Sequence, residues 1–147
     1  MVDLPEPEPG LVISYSYLWS SEAAHGQVEG RKDRPCAIVV ARIDPRRGSK
    51  SPQVVVVPVT HRRPSDPSVA IEIPERIKEH LGLDGERSWI IVNEFNVFVW
   101  PGFDVRPIRR GMSRIHYGWL PPKLFDEIIR KFGELRATAK CQGTSRQ

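Results

Sequence analysis

Two groups of polar residues lie at the ends of apolar segments and contain the side chains best suited to bind a phosphodiester. The first group, 29–34, ends in Arg34, directly before an apolar run that begins at Pro35. The second group begins with Thr60, which ends the valine-rich segment 53–60. If the two apolar segments form an antiparallel hairpin, the start of the first lies beside the end of the second. The sequence therefore predicts that Arg34 and Thr60 are close neighbours.

An arginine and a threonine at one site suit an anionic substrate, since a guanidinium binds phosphate through two hydrogen bonds and a hydroxyl can donate a third. Metal-independent RNA cleavage also needs a base for the 2′-hydroxyl, an acid for the 5′-oxygen and donors for the phosphorane. The candidate proton carriers are His25, Glu29, Asp33 and His61, and the candidate base-stacking rings are Tyr15, Tyr17 and Trp19. The alternative is that the charges form solvated loops and the rings belong to the core.

Apolar periodicity predicts a mainly β protein with helices. The predicted strands are 11–19, which alternates as a half-buried strand should, and 35–43, 53–60, 69–73, 88–92 and 96–100. The predicted helices are 74–82 and 121–135. We expect a small antiparallel sheet or barrel of five to six strands with a short internal helix and a C-terminal helix.

The 147 residues suffice for one domain with one hydrophobic core. Residues 1–9 are predicted to be a disordered or extended arm, 10–136 the domain, and 137–147 a polar C-terminal tail. The N-terminus lacks the features of a secretory signal, and no apolar stretch approaches the roughly 20 residues that span a bilayer. We therefore expect a cytoplasmic protein with no membrane contact and with reduced cysteines.

Charge is concentrated in a few segments. The net charge is +4 at pH 7, and basic residues are dense at 31–34, 62–63 and 106–114. Such clusters suit RNA, DNA or an acidic protein partner. The 4 histidines and 2 cysteines lack zinc-site spacing, so we expect no metal and no other cofactor. Common nucleotide-binding, zinc-protease and α/β-hydrolase motifs are also missing from the sequence.

Three motifs, in order, resemble those of the MazF/PemK toxins. They lie at residues 10–13, at 30–40 with its Arg34-Pro35 pair, and at 55–60 with its Pro-Val-Thr ending. The resemblance covers residues 10–135 and implies an SH3-like barrel that acts as a homodimeric, metal-independent endoribonuclease. It also implies neutralisation by a small acidic antitoxin. By position, Arg34 and Thr60 match the family's catalytic arginine and its catalytic Thr or Ser.

The sequence departs from the family pattern in three places. Residues 31–33 stand where the family has one residue, and His61 follows Thr60 where the family has a second Ser or Thr. The polar stretch that supplies further catalytic groups reads 93–99 here, so Glu94 is its candidate replacement. The catalytic residues predicted for cleavage of single-stranded RNA are Arg34, Thr60, His61 and Glu94, and the predicted RNA-binding residues are Arg31, Lys32, Arg62 and Arg63. The alternative function is a non-catalytic RNA- or protein-binding module on the same barrel.

Overall fold

The structure, a computed structural model, describes residues 4–30 and 32–146, and within them it contains eight strands and three α-helices. The strands are β1 (Leu11–Tyr15), β2 (Arg34–Arg42), β3 (Gln53–Thr60), β4 (Ala70–Glu72), β5 (Trp89–Ile91), β6 (Glu94–Val99), β7 (His116–Trp119) and β8 (Gln142–Ser145). The helices are α1 (Ser20–Ala24), α2 (Glu75–Leu81) and α3 (Pro122–Ala137). The predicted class, mainly β with helices, is confirmed. No helix in the described ranges is long and apolar enough to cross a membrane.

The strands pair along one path in the order β4-β5-β3-β2-β1-β7. β6 branches from this path, because it pairs with the first half of β3 on one side and with β8 on the other. The pairings are antiparallel except that between β6 and β8, which is parallel. Within the described chain β4 and β7 are the ends of the path, so closure into an SH3-like barrel stays a prediction.

The central strands are buried on both faces. On one face Val12, Ala37 and Val57 belong to a core that includes Ile128 and Phe132 of α3. The second face carries another core, which includes Leu11, Ile13, Tyr15, Ile38, Val56 and Phe98. The half-buried strand predicted over 11–19 is therefore corrected: the strand ends at Tyr15 and all five of its residues are buried. Its alternate side chains enter two different cores, which leaves neither face for solvent.

The valines of β3 are buried on both faces of the sheet, since Val54 and Val57 lie in different cores. Pro58 lies in this central strand, opposite Cys36 of β2. At this point the other neighbour of β3 changes from β6 to β5. The missing proline N–H is tolerated there because the ladder on that side is interrupted.

The predicted polar tail, 137–147, is corrected because part of it belongs to the sheet. β8 pairs along β6, and the buried Arg146 forms an ion pair with Asp104, at 2.9 Å from Nη2 to Oδ1. This strand is stabilised by backbone hydrogen bonds and an ion pair, so it has no apolar alternation that could have predicted it. β7 and the short α1 were also missed, since neither lies in a predicted strand or helix.

The predicted N-terminal arm is described only from residue 4 onward. Residues 4–9 form neither a strand nor a helix. The carboxylate of Glu8 accepts a hydrogen bond from the indole N–H of Trp119 at 3.2 Å. One side chain of the arm therefore contacts the end of β7.

Gly30, the glycine that precedes the Arg-Pro pair, is required by a close backbone approach. A Cβ at Gly30 would lie 2.3 Å from the backbone oxygen of Tyr17 and 2.9 Å from Oγ of Ser16. Because that backbone is buried, we expect Gly30→Ala to lower the free energy of unfolding by about 1–3 kcal/mol, measured by urea titration. Gly85→Ala is the control, since no atom lies within 4 Å of its added Cβ. Equal losses in the two variants would contradict the close approach.

Candidate functional site

The β2–β3 hairpin brings Arg34 and Thr60 to the same end of the sheet, as the sequence predicts. The two strands are antiparallel and pair Cys36 with Pro58, a register that places Arg34 opposite Thr60 when it is extended by two residues. Nη1 of Arg34 lies 3.4 Å from the carbonyl oxygen of Val59, the residue before Thr60. The predicted hairpin is therefore confirmed, and its far ends form the base of a cleft.

This cleft has a volume of about 1080 Å³ and is open to solvent. Six of the predicted site residues line it: Lys32, Arg34, Thr60, His61, Arg62 and Arg63. Two carboxylates, those of Glu22 and Asp66, also line it, so its four cations exceed its acidic groups. Lys32, Arg62 and Arg63 are exposed and can move toward a bound polyanion. The cleft is thus large and basic enough for a segment of nucleic acid.

Arg34 is a half-buried cation that forms no ion pair with a carboxylate among the described residues. Its guanidinium carbon lies 5.0 Å from the centre of the Trp19 ring, and its Nε is buried without a hydrogen-bond acceptor in the described chain. Burial lowers the pKa of Arg34, and the nearby Cys36 and Glu22 oppose that shift. An arginine stays charged in proteins, so a desolvated, unpaired guanidinium gains strongly from an anion. Arg34 is therefore the side chain in the cleft best prepared to bind a phosphate.

Thr60 complements Arg34 because its hydroxyl still has a hydrogen to donate. Its Oγ1 accepts a hydrogen bond from the backbone N–H of Arg62 at 3.1 Å. A hydroxyl that accepts one bond can donate another, and Thr60 lines the same cleft as Arg34. The pair can therefore surround an oxyanion with a guanidinium and a hydroxyl donor.

His61 and His25, two of the candidate proton carriers, differ in how their rings are held. Nδ1 of His61 lies 3.0 Å from the carbonyl oxygen of Arg87, and its Nε2 lies 2.9 Å from Oδ2 of Asp84. Both ring nitrogens of His61 therefore face acceptors already. In His25, Nδ1 lies 2.7 Å from the carbonyl oxygen of Ser21, and Nε2 contacts no partner in residues 4–30 and 32–146. A donating Nδ1–H leaves the lone pair of a neutral ring on Nε2, so His25 can accept a proton in the cleft that it lines.

The structure does not bring Glu94 into the lining of the cleft. Its Oε1 accepts hydrogen bonds from the Tyr17 hydroxyl and the Ser20 backbone N–H, both at 3.0 Å. Its Oε2 accepts another from Oγ of Ser20 at 3.2 Å. Glu94 thereby fixes the start of α1 on the sheet, and burial raises the pKa of its carboxyl against the effect of these hydrogen bonds.

Glu94→Gln tests this structural role through pH. Because burial raises the pKa above its ordinary 4.5, the folded protein binds this proton more tightly than the unfolded chain. The stabilisation that the protonated Glu94 carboxyl contributes is therefore present below pH 4.5, and it is lost as the pH rises through the pKa of this group in the folded protein. We expect urea titrations to show that the free energy of unfolding of wild type falls relative to that of the variant as pH rises through this window. A difference that does not change with pH would contradict this, and the exposed Glu134→Gln is the control.

The remaining predicted residues do not share one environment. Arg31 lies outside the described residues. Glu29 is exposed and does not line the cleft, whereas Asp33 lines a smaller neighbouring cavity. Tyr15 and Tyr17 are buried in the core and cannot act as base-stacking platforms, while Trp19 lines the cleft. Of the three aromatic candidates, only Trp19 can meet a ligand.

Glu22 is a cleft residue that the sequence did not point to. Its Oε1 accepts a hydrogen bond from the backbone N–H of Trp19 at 3.0 Å, and its Oε2 accepts one from Nε2 of Gln27 at 3.3 Å. The available signal was a glutamate in the first turn of a helix, but α1 itself was not predicted. Glu22 therefore helps to hold the wall that carries Trp19 and His25.

One group of metal-type side chains occurs in the described residues. Ligand atoms of His61, Asp84 and Glu86 lie within 4.8 Å of one another, and all three residues are exposed. The carboxylate of Asp84 already faces Nε2 of His61. The cluster is explained as a surface ion-pair group, and no role for an ion follows from it.

Comparisons with known proteins leave the chain without an assigned family. No family model matches it, and no curated protein matches it significantly. The function proposed below therefore rests on the residues of the cleft and on the resemblance of their motifs.

Proposed function

We propose that the protein is a metal-independent endoribonuclease that cleaves single-stranded RNA, similar in activity to the MazF/PemK toxins. The observation that carries the proposal is that Arg34 and Thr60 lie at the same end of the hairpin and line one basic cleft. The same two residues occupy the catalytic positions of the motifs that resemble the family. Two independent lines thus support the same pair.

In the proposed reaction the 2′-hydroxyl attacks the adjacent phosphorus and the 5′-oxygen leaves. Nε2 of His25 takes the proton from the 2′-hydroxyl, because its Nδ1 is held by a carbonyl oxygen. Arg34 and Thr60 donate hydrogen bonds to the phosphorane oxygens, and Arg34 keeps its charge throughout. The leaving 5′-oxygen takes a proton from water in the open cleft, and the hydroxide so formed takes the proton held by His25. The products carry a 2′,3′-cyclic phosphate and a 5′-hydroxyl. This assignment makes His25 the base in place of His61 and Glu94.

The proposal includes the biological setting that the resemblance implies. The protein acts in the cytoplasm as a homodimeric toxin that inhibits growth, and a small acidic antitoxin neutralises it. The excess of cations on the cleft suits an acidic segment of such a partner as well as RNA. A short acidic reading frame next to the gene would support this setting.

The direct test is incubation of the purified protein with diverse single-stranded RNAs in the presence of EDTA. We expect cleavage at a small set of sequences and no cleavage of the same strands made with 2′-O-methyl ribose. Intact RNA after incubation with wild type, over all sequences tried, would overturn the proposal. Cleavage of the methylated strands would overturn the 2′-hydroxyl mechanism.

His25→Gln tests the assignment of the base. We expect kcat to fall by about 10²- to 10⁴-fold, the usual contribution of a general base. The measurement is single-turnover cleavage of a labelled RNA. His80→Gln is the matched control, since His80 is exposed on α2 and does not line the cleft. A fall in kcat of less than threefold in His25→Gln would show that another group acts as the base.

A second candidate function is a non-catalytic module that binds RNA or an acidic protein. Glu94 favours it, because this carboxylate is used to fix α1 and the stretch 93–99 contributes only Asn93 to the lining of the cleft. RNA binding by wild type without any cleavage would support this function over the first.

A further inference from the structure

A second basic surface lies on the turn formed by residues 108–114, which we call the arginine turn. The backbone N–H of Ile108 donates a hydrogen bond to the carbonyl oxygen of Arg114 at 2.9 Å. The backbone N–H of Met112 donates another to the carbonyl oxygen of Arg109 at 3.1 Å. Arg109 and Arg110 are exposed at its tip. Within the described ranges, neither of their side chains has a hydrogen bond or an ion pair. Two free guanidinium groups therefore face solvent side by side.

The arginine turn begins beside the cleft. Ile108 lines a cavity of about 300 Å³ whose wall also includes Arg34 and Thr60. Nε of Arg106 lies 3.9 Å from Oδ1 of Asp33, which connects the segment before the turn with the residues before Arg34. A strand with its reacting phosphate at Arg34 can therefore reach the turn with its next nucleotides.

An exposed aromatic ring accompanies these arginines. Phe103 is 93% exposed, and its carbonyl oxygen accepts a hydrogen bond from Nη1 of Arg106. This bond connects the ring-bearing residue to Arg106, two residues before the arginine turn, so the ring and the free guanidinium groups lie on one short segment. A solvent-facing ring on the same segment as free guanidinium groups suits an unpaired base flanked by phosphates. A bilayer surface would instead need a continuous apolar face, whereas Arg109 and Arg110 occupy the tip of this turn. Single-stranded nucleic acid is therefore the ligand that the surface fits best.

We propose that the arginine turn and Phe103 form a second RNA-binding site, which holds two phosphates and one unpaired base beyond the cleavage position. The proposal rests on the proposed function, which supplies RNA as the substrate class. It makes binding depend on strand length, because a short strand fills the cleft alone and a long strand also contacts the turn.

The test is fluorescence anisotropy with 2′-O-methyl oligonucleotides of roughly 5 and roughly 20 nucleotides, at several salt concentrations. These strands cannot be cut through the 2′-oxygen, so binding is measured apart from cleavage. We expect Arg109→Ala/Arg110→Ala to reduce the salt slope of the long strand by about 1.4, since each phosphate contact on a single strand contributes ~0.7. Phe103→Ala should weaken binding of the long strand roughly tenfold. Binding of the short strand should not change.

The matched control is Arg46→Ala/Arg47→Ala. It removes the same charge from the turn that connects β2 to β3, at the end of this hairpin away from Arg34 and Thr60. Unchanged binding of the long strand by the test variants overturns the proposal, as does an equal change in the control. Loss of binding to phosphatidylserine vesicles with no effect on RNA also overturns it. If wild type binds long RNA through the turn but cuts no unmodified RNA, the second site is supported and the proposed ribonuclease fails.

Discussion

Arg34→Ala is expected to lower the rate of RNA cleavage by about 10²- to 10³-fold, the usual effect of removing one preorganised donor to a developing oxyanion. The reason is the state of the side chain before any ligand binds. Its guanidinium is half-buried beside Trp19, and its Nε has no acceptor in the described part of the protein. The phosphorane would supply that acceptor and a compensating charge, so the interaction is strongest in the transition state.

Arg34→Lys distinguishes charge from geometry. A lysine keeps the positive charge but cannot donate two parallel hydrogen bonds, so we expect it to recover only part of the lost rate. Single-turnover cleavage measures the chemical step, and thermal unfolding of each variant measures any loss of folded protein. Arg63→Ala, an exposed cation on the same cleft, is the matched control and should mainly weaken binding. A folded Arg34→Ala variant that cleaves at the wild-type rate would contradict the proposed mechanism.

Arg146→Ala is expected to cost about 3–5 kcal/mol of unfolding free energy, the typical effect of breaking a buried ion pair. The side chain of Arg146 is 2% exposed and that of Asp104 is 15% exposed. Nη1 of Arg146 also donates to the carbonyl oxygen of Ser16 at 2.7 Å and to Oδ1 of Asn96 at 3.0 Å. Its removal leaves the Asp104 carboxylate without its cation and the Ser16 carbonyl oxygen without this donor, while Oδ1 of Asn96 keeps the hydrogen bond from the Leu18 backbone N–H.

Urea titration measures this loss, and Arg130→Ala is the control. Arg130 pairs with Glu134 one helical turn away, with both side chains more than half exposed, so its loss should be below about 0.5 kcal/mol. The double variant Arg146→Ala/Asp104→Asn should lose less than the sum of the two single variants, because it removes both charges of the pair. A loss below about 1 kcal/mol in Arg146→Ala would show that β8 is not fixed by this residue.

The part of the site that the sequence predicts is the part that strand order determines. Two apolar segments joined by a short turn imply a hairpin, and a hairpin places Arg34 and Thr60 together whatever their side chains do. The direction of a side chain at a strand end does not follow from that order. Glu94 was therefore a reasonable candidate from its position, yet its carboxylate contacts Ser20 and not the cleft.

The strands that were missed lack the signals that the others carry. β8 has the sequence Gln-Gly-Thr-Ser and is attached through its backbone and the adjacent Arg146. Asp104, the ion-pair partner of Arg146, is 42 positions earlier and lies outside the predicted strands and helices, so the pair is visible only in three dimensions. The half-buried strand predicted at β1 was wrong for a related reason, since a second core on the outer face cannot be read from one strand alone.

The ends of the RNA products test the central claim most directly. Wild type and Arg34→Ala are incubated with the same RNA in EDTA, and the termini of the fragments are analysed by mass spectrometry. We predict 2′,3′-cyclic phosphate and 5′-hydroxyl ends from wild type, with the same ends formed far more slowly by the variant. Fragments with 5′-phosphate ends, or equal amounts of product from the two proteins, would contradict cleavage by the Arg34–Thr60 site.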